Sequence, residues 1–96
     1  IRDPYLLKQF AHSLRKTGAL KKAVKIYNEL ILFAPNETEA YKNAGIIYEL
    51  LLDSPKKAIP LYEKYIEQNG SSSKAVQNWL RISREKVKKK ESAKKL

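Results

Sequence analysis

The stretch Ala19-Leu-Lys-Lys-Ala-Val-Lys-Ile-Tyr-Asn-Glu-Leu-Ile31 returns thirty-five residues further on as Ser54-Pro-Lys-Lys-Ala-Ile-Pro-Leu-Tyr-Glu-Lys-Tyr-Ile66. Five of the thirteen positions are identical: Lys21/Lys56, Lys22/Lys57, Ala23/Ala58, Tyr27/Tyr62 and Ile31/Ile66. Val24/Ile59 and Ile26/Leu61 keep an aliphatic side chain. A period in the mid-thirties that carries helical spacing marks one structural unit written twice, the kind that buries its apolar face against its neighbour. Arrays of this sort usually act by binding.

The residues on either side extend the pattern. Asp3 before Pro4 reads as an N-cap with proline at the first helical position, and Leu6, Leu7, Phe10, Ala11 and Leu14 follow at helical spacing up to a stop near Thr17-Gly18. A second helix is expected from about Leu20 to Ala34, ended by Pro35. Asn36 and Glu39 have capping-box spacing, which would open a third helix through Tyr41, Ala44, Gly45, Tyr48 and Leu51. Asp53-Ser54-Pro55 closes that helix and caps a fourth, about Pro55 to Gln68, in which Pro60 should bend the first turns. Asn69-Gly70 supplies a left-handed stop, and serines 71–73 offer caps for a fifth helix. Its stripe of Val76, Trp79, Leu80 and Ser83 fades into Lys86, Lys88, Lys89 and Lys90.

Ninety-six residues with 43% hydrophobic content suffice for one small helical core. The net charge of +10 is uneven: residues 81–96 hold eight Lys/Arg and two Glu, a net of +6, which leaves +4 on the first eighty. There is no cysteine, hence no disulfide, thiolate metal site or thiol nucleophile. No apolar run is long enough to cross a bilayer. A soluble domain is expected, in the cytoplasm by preference and with the periplasm open. A chain opening at Ile1 is expected to be a piece of a longer one, with more sequence before it.

At this point the residues resemble a known family, the tetratricopeptide repeats, whose unit is an antiparallel helix pair of about thirty-four residues. Counting from Pro4, Leu7, Ala11, Leu14, Ala23, Tyr27 and Pro35 stand at the family's characteristic positions, and Tyr41, Gly45, Tyr48, Ala58 and Tyr62 stand in the equivalent places of a unit from Thr38. Small residues at Ala11, Gly45, Ala23 and Ala58 would let helices approach, with Tyr27 and Tyr62 filling the space between them. The chain departs in having Phe10-Ala11 where the family favours Leu-Gly, one residue inserted at the Leu52–Pro55 turn, and Asn69-Gly70 in place of a terminal Pro. The resemblance, over about residues 4–85, implies an all-α, right-handed superhelical stack of five helices. Repeat 1 would be about 4–37, repeat 2 about 38–72 and a capping helix about 73–90, with residues 86–96 a basic tail on a domain of residues 1–85.

The resemblance further implies that the first helix of each pair lines a concave groove. The matching positions are Tyr5, Lys8, His12 and Arg15, then Lys42, Asn43, Ile46 and Glu49, with Lys74, Asn78 and Arg81 from the capping helix. Ammonium, amide and guanidinium donors in one groove suit an acidic or C-terminal carboxylate peptide. Part of the family holds chaperone tails in a carboxylate clamp of Lys and Asn, then Asn, then Lys and Arg. Lys8, Asn43 and Lys74 match it, whereas His12 stands for an Asn and Asn78 for the Arg. The simpler reading is that these are solvated charges, with a partner bound on another face.

Enzyme chemistry finds little support, and no cofactor or metal is expected. His12 is the only histidine, and Gly18, Gly45 and Gly70 each have a turn or packing explanation rather than a phosphate loop. Trp79 is expected to pack on Tyr48, Tyr62 or Tyr65 rather than to serve as an interface anchor. The lysine-rich end reads as a fraying, solvated helix terminus with cations at the favourable pole of the dipole. It could give non-specific, salt-sensitive contact with phosphates, so nucleic acid is an alternative and not the expected partner. Two repeats are few for an array, and the outer face of the first helix, with Tyr5, Leu6 and Phe10, is a second alternative as a self-association or assembly surface. The leading expectation is an adaptor or scaffold domain that binds a protein partner.

Overall fold

The computed structural model describes residues 3–69 and 73–94, which form helices α1 (Pro4–Lys16), α2 (Leu20–Phe33), α3 (Thr38–Ile46), α4 (Pro55–Asn69) and α5 (Lys74–Lys94). A π-helical turn, Ile47–Leu51, continues α3. No strand occurs among the described residues. Each helix packs on the next in sequence order, as short turns between antiparallel neighbours require.

Local chemistry sets the ends of α1. The Asp3 carboxylate accepts from the Tyr5 backbone N–H at 2.9 Å, Pro4 occupies the first turn, and Gly18 takes φ +85° to leave the helix. The capping box expected at Asn36 does not form. Glu37 precedes the first residue of α3 and gives no side-chain cap, and Glu39 pairs with Lys42 at 2.7 Å instead. Tertiary contacts hold this turn: the Pro35 carbonyl accepts from the Tyr41 hydroxyl and the Gln68 amide, both at 2.8 Å, and Gln68 accepts from Thr38 Oγ1 at 2.8 Å. These contacts fix the turn through its carbonyl and hydroxyl groups and do not replace a cap, which would accept from backbone N–H groups of α3.

The inserted residue changes more than the turn. In place of a regular helix through Leu51, the chain widens at Ile47–Leu51, Leu52 N–H bonds back to Ile47 O, and Asp53 adopts φ +48°. A π-turn absorbs an extra residue by rotating everything that follows it. Helix α4 runs on through Pro60, whose ring is exposed. Ser73 caps α5, its Oγ accepting from Val76 N–H at 3.4 Å, while the expected roles of Gly70, Ser71 and Ser72 lie outside the described residues. The helix then continues as far as Lys94, so residues 86–94 of the expected tail are part of α5.

Two clusters make the core. Ala11, Ala23, Val24, Tyr27, Leu30, Ala40, Ala44 and Ile47 pack between α1, α2 and α3. Tyr41, Ala58, Tyr62, Tyr65, Val76 and Leu80 pack between α3, α4 and α5. Ile31, Tyr48 and Leu61 touch both, so the interior is continuous through the stack. Trp79 lies with its ring 6.1 Å from that of Tyr62 and covers the end of the second cluster. Ser83 joins the buried stripe of α5. Gly45 is where helix approach is closest: a Cβ placed there would lie 2.6 Å from Cε1 of Tyr62. The small and large positions noted in the sequence are thus complementary surfaces of one contact.

Candidate functional site

Helices α1 and α3 turn polar side chains toward each other over the first core cluster. Lys8, Gln9 and His12 from α1, Glu39 and Asn43 from α3, and Tyr27 from α2 line a recess of about 350 Å³. Lys8, Gln9 and His12 fall on one face of α1 by helical spacing, and Glu39 and Asn43 are one turn apart on α3. Tyr27 forms the floor. It is fully buried, and its hydroxyl makes no well-formed hydrogen bond. Burial pushes the phenol above its ordinary range, and the Arg15 charge and Asn43 amide pull it part of the way back.

The positive charge of this face is largely spoken for within the domain. Lys8 donates to Glu37 at 3.2 Å, and Lys42 meets Glu39 and also lies over the Tyr65 ring at 5.7 Å. Arg81 donates to Asn78 Oδ1 at 2.7 Å and to Glu85 at 2.9 Å. These are partly exposed pairs, each worth about 0–1 kcal/mol, so they orient the cations without locking them.

Of the residues expected in a groove, the structure brings Lys8, His12 and Asn43 into the one recess. Tyr5 stands 62% exposed near the start of α1, Arg15 is half-buried near its end, and Ile46 packs half-buried against the second cluster. Lys74 and Asn78 are exposed on α5, whereas Arg81 borders a separate hollow between α4 and α5 with Ile59 and Arg84. Glu49 does not face a groove. The π-turn carries it inward, where it is 3% exposed, accepts from the Tyr62 hydroxyl at 2.8 Å and meets Lys86 at 3.5 Å. Burial first, and then the Glu49 carboxylate that takes its hydrogen bond, hold the Tyr62 phenol far above its usual range.

Sequence reading missed Gln9, Glu37 and Glu39 as neighbours of the recess and took Tyr27 for core alone. Gln9 was legible, since it lies between Lys8 and His12 on the same face. The Lys8–Glu37 pair spans twenty-nine residues and has no local signal. Among the described residues no group of His, Cys, Asp or Glu could hold a metal ion, and no helix is long and apolar enough to cross a membrane.

No protein-family profile matches the chain, and no curated protein matches it. Solved structures do. The crystal structure of a tetratricopeptide repeat domain protein from Salinibacter ruber superposes with a TM-score of 0.69 at 24% identity, over 90% of this chain and 97% of that one. A solution structure of a tetratricopeptide repeat domain protein from the same organism gives 0.66 at 25% identity, over 90% of this chain and 85% of that one. With the buried small and aromatic positions in register and the helices stacked in sequence order, this chain has the all-α fold of a tetratricopeptide-repeat domain.

Proposed function

We propose that this domain is a protein-interaction module, an adaptor that holds a short acidic segment of a partner protein along the face of α1, α3 and α5. The observation that carries the reading is the recess itself, where Lys8, His12 and Asn43 converge over the buried Tyr27 hydroxyl, which makes no well-formed hydrogen bond. A poorly paired buried hydroxyl costs up to about 1–3 kcal/mol, part of which a ligand atom would recover where binding opens the recess floor to it. Partner carboxylates would meet Lys8, Arg15 and Lys42 on α1 and α3, and Lys74, Asn78 and Arg81 on α5, with Tyr5 and Ile46 offering apolar contact. Charge-assisted hydrogen bonds of this type contribute about 1.5–3 kcal/mol each, more than the surface pairs they would replace. Glu37 and Glu39 are therefore gates that an incoming carboxylate can displace.

The test uses the full chain titrated with a peptide that ends in acidic residues and a free carboxylate, beside its neutral, amidated counterpart. The acidic peptide should bind, and Lys8→Glu with Lys74→Glu should weaken it by at least about tenfold while circular dichroism stays unchanged. Equal affinity in the double variant rejects the groove.

A further inference from the structure

Alternating helix direction gathers the ends of α1 and the π-turn, the starts of α2 and α4, and the later turns of α5 at one edge of the stack. Leu52 shares a recess with Gly18, Lys21 and Lys22, and Asp53 to Lys57 share another with Val87 and Lys90. Lys86 reaches Glu49 and Lys90 reaches Asp53, tying α5 to the same edge. Segments 15–22, 49–57 and 86–91, which make this edge, hold ten Lys/Arg against three carboxylates. Segments 3–8, 33–42, 61–69 and 73–78, at the opposite edge, hold four against five. One edge therefore carries +7 of the net +10, and the opposite edge −1.

The placement works against local stability. Lys21 and Lys22 sit in the first turn of α2, Lys56 and Lys57 in the first turn of α4, and neither turn contains an acidic residue. Cations there face the positive pole of the helix dipole. Lys16, Lys21, Lys22 and Lys56 are exposed and make no ion pair among the described residues. One of the three carboxylates, Glu49, is buried and cannot offset them at the surface. Between the lysine pairs in sequence, the π-turn exposes Leu50 and Leu51, at 59% and 47%.

We infer that this edge docks the domain on an anionic lipid bilayer, with the lysines at the headgroups and the two leucines entering the boundary with the acyl chains. A field of this sign attracts any polyanion, and the neighbours of the lysines choose between them. The three segments contain no aromatic residue on which a base could stack, whereas exposed leucines on a lysine-rich edge gain free energy at a polyanion only where an apolar layer lies behind the phosphates.

The experiment is flotation of the full chain with mixed phosphatidylserine–phosphatidylcholine vesicles, with pure phosphatidylcholine vesicles and a mixed-sequence DNA duplex as the other arms. Binding to the mixed vesicles alone is expected, weakening as salt rises. The quadruple variant Lys21→Glu, Lys22→Glu, Lys56→Glu, Lys57→Glu should lose at least about tenfold in vesicle affinity. The pair Leu50→Ser, Leu51→Ser should lose the part that persists in high salt, with helicity retained in both. Failure to bind mixed vesicles, or binding that neither variant changes, overturns the inference. Duplex binding that is tighter than vesicle binding and unaffected by the leucine pair assigns the edge to nucleic acid instead. Lys8 and Lys74 lie on neither lysine pair, so this result is independent of the groove.

Discussion

Tyr27 and Tyr62 hold equivalent places in the two repeats and both are fully buried, yet the Tyr62 hydroxyl donates to Glu49 at 2.8 Å and the Tyr27 hydroxyl donates to nothing. The difference lies at one position, since Glu49 of the second repeat stands where the first has Arg15, a side chain with no acceptor for a phenol proton. In the second repeat the π-turn brings Glu49 inside, where it satisfies the phenol and engages Lys86 of α5, so the aromatic becomes part of the fastening between repeat and final helix. In the first repeat no such residue turns inward, and the phenol is left at the floor of an open recess. The same buried side chain is fastened by a carboxylate in one unit and left without one in the other.

The comparison can be broken most forcefully at Gly45. The first repeat has Ala11 in the equivalent place, so Gly45→Ala makes the two units alike, but the added Cβ meets the fully buried Tyr62 ring. Destabilisation of about 3 kcal/mol is expected, the upper part of the overpacking range, because a buried ring has little room to move. Urea unfolding of the two proteins measures it, and a change below about 0.5 kcal/mol would refute the close packing.

A matched pair of phenol deletions separates the two roles. Tyr62→Phe removes a hydrogen bond to a buried carboxylate and should cost about 2 kcal/mol. Tyr27→Phe removes a hydroxyl that makes no well-formed hydrogen bond, and stability should hold or rise by up to about 1 kcal/mol, while affinity for the acidic peptide falls. Equal losses of stability in the two variants would show that the hydroxyls are not treated differently.

The smallest effect is one of pH. Both phenols are raised by burial, Tyr62 the further because of Glu49. A raised folded pKa contributes stability that is fully present below the unfolded value of about 10, and that is lost as pH climbs toward the folded value. Unfolding free energy should therefore be insensitive to these groups up to about pH 9 and decline above about pH 10. Lysine deprotonation acts in the same range, so the informative quantity is the slope of the parent minus that of Tyr62→Phe, which should be shallower.

Much of the helix pattern could be read directly. Asp3-Pro4, Thr17-Gly18 and Pro35 set ends through backbone chemistry that acts within a turn, and each did so where expected. The box that the spacing of Asn36 and Glu39 suggests is absent because Glu39 pairs with Lys42, and the turn is held instead by Gln68 from α4. For the site, Lys8, His12 and Asn43 could be placed from helical spacing and family resemblance. Their partners could not, since Glu37 and Glu39 approach through turn geometry and rotamer choice.

Sequence alone determined the repeated helix pair, the small and aromatic positions that key one helix into the next, and the basic excess, because periodicity and side-chain size are properties of residues in order. Tertiary structure decided which phenol is satisfied, that Glu49 belongs to the interior, and that the lysines of two repeats share one edge with α5. A single inserted residue rotates all that follows it, and which groups then face each other is settled by packing in three dimensions.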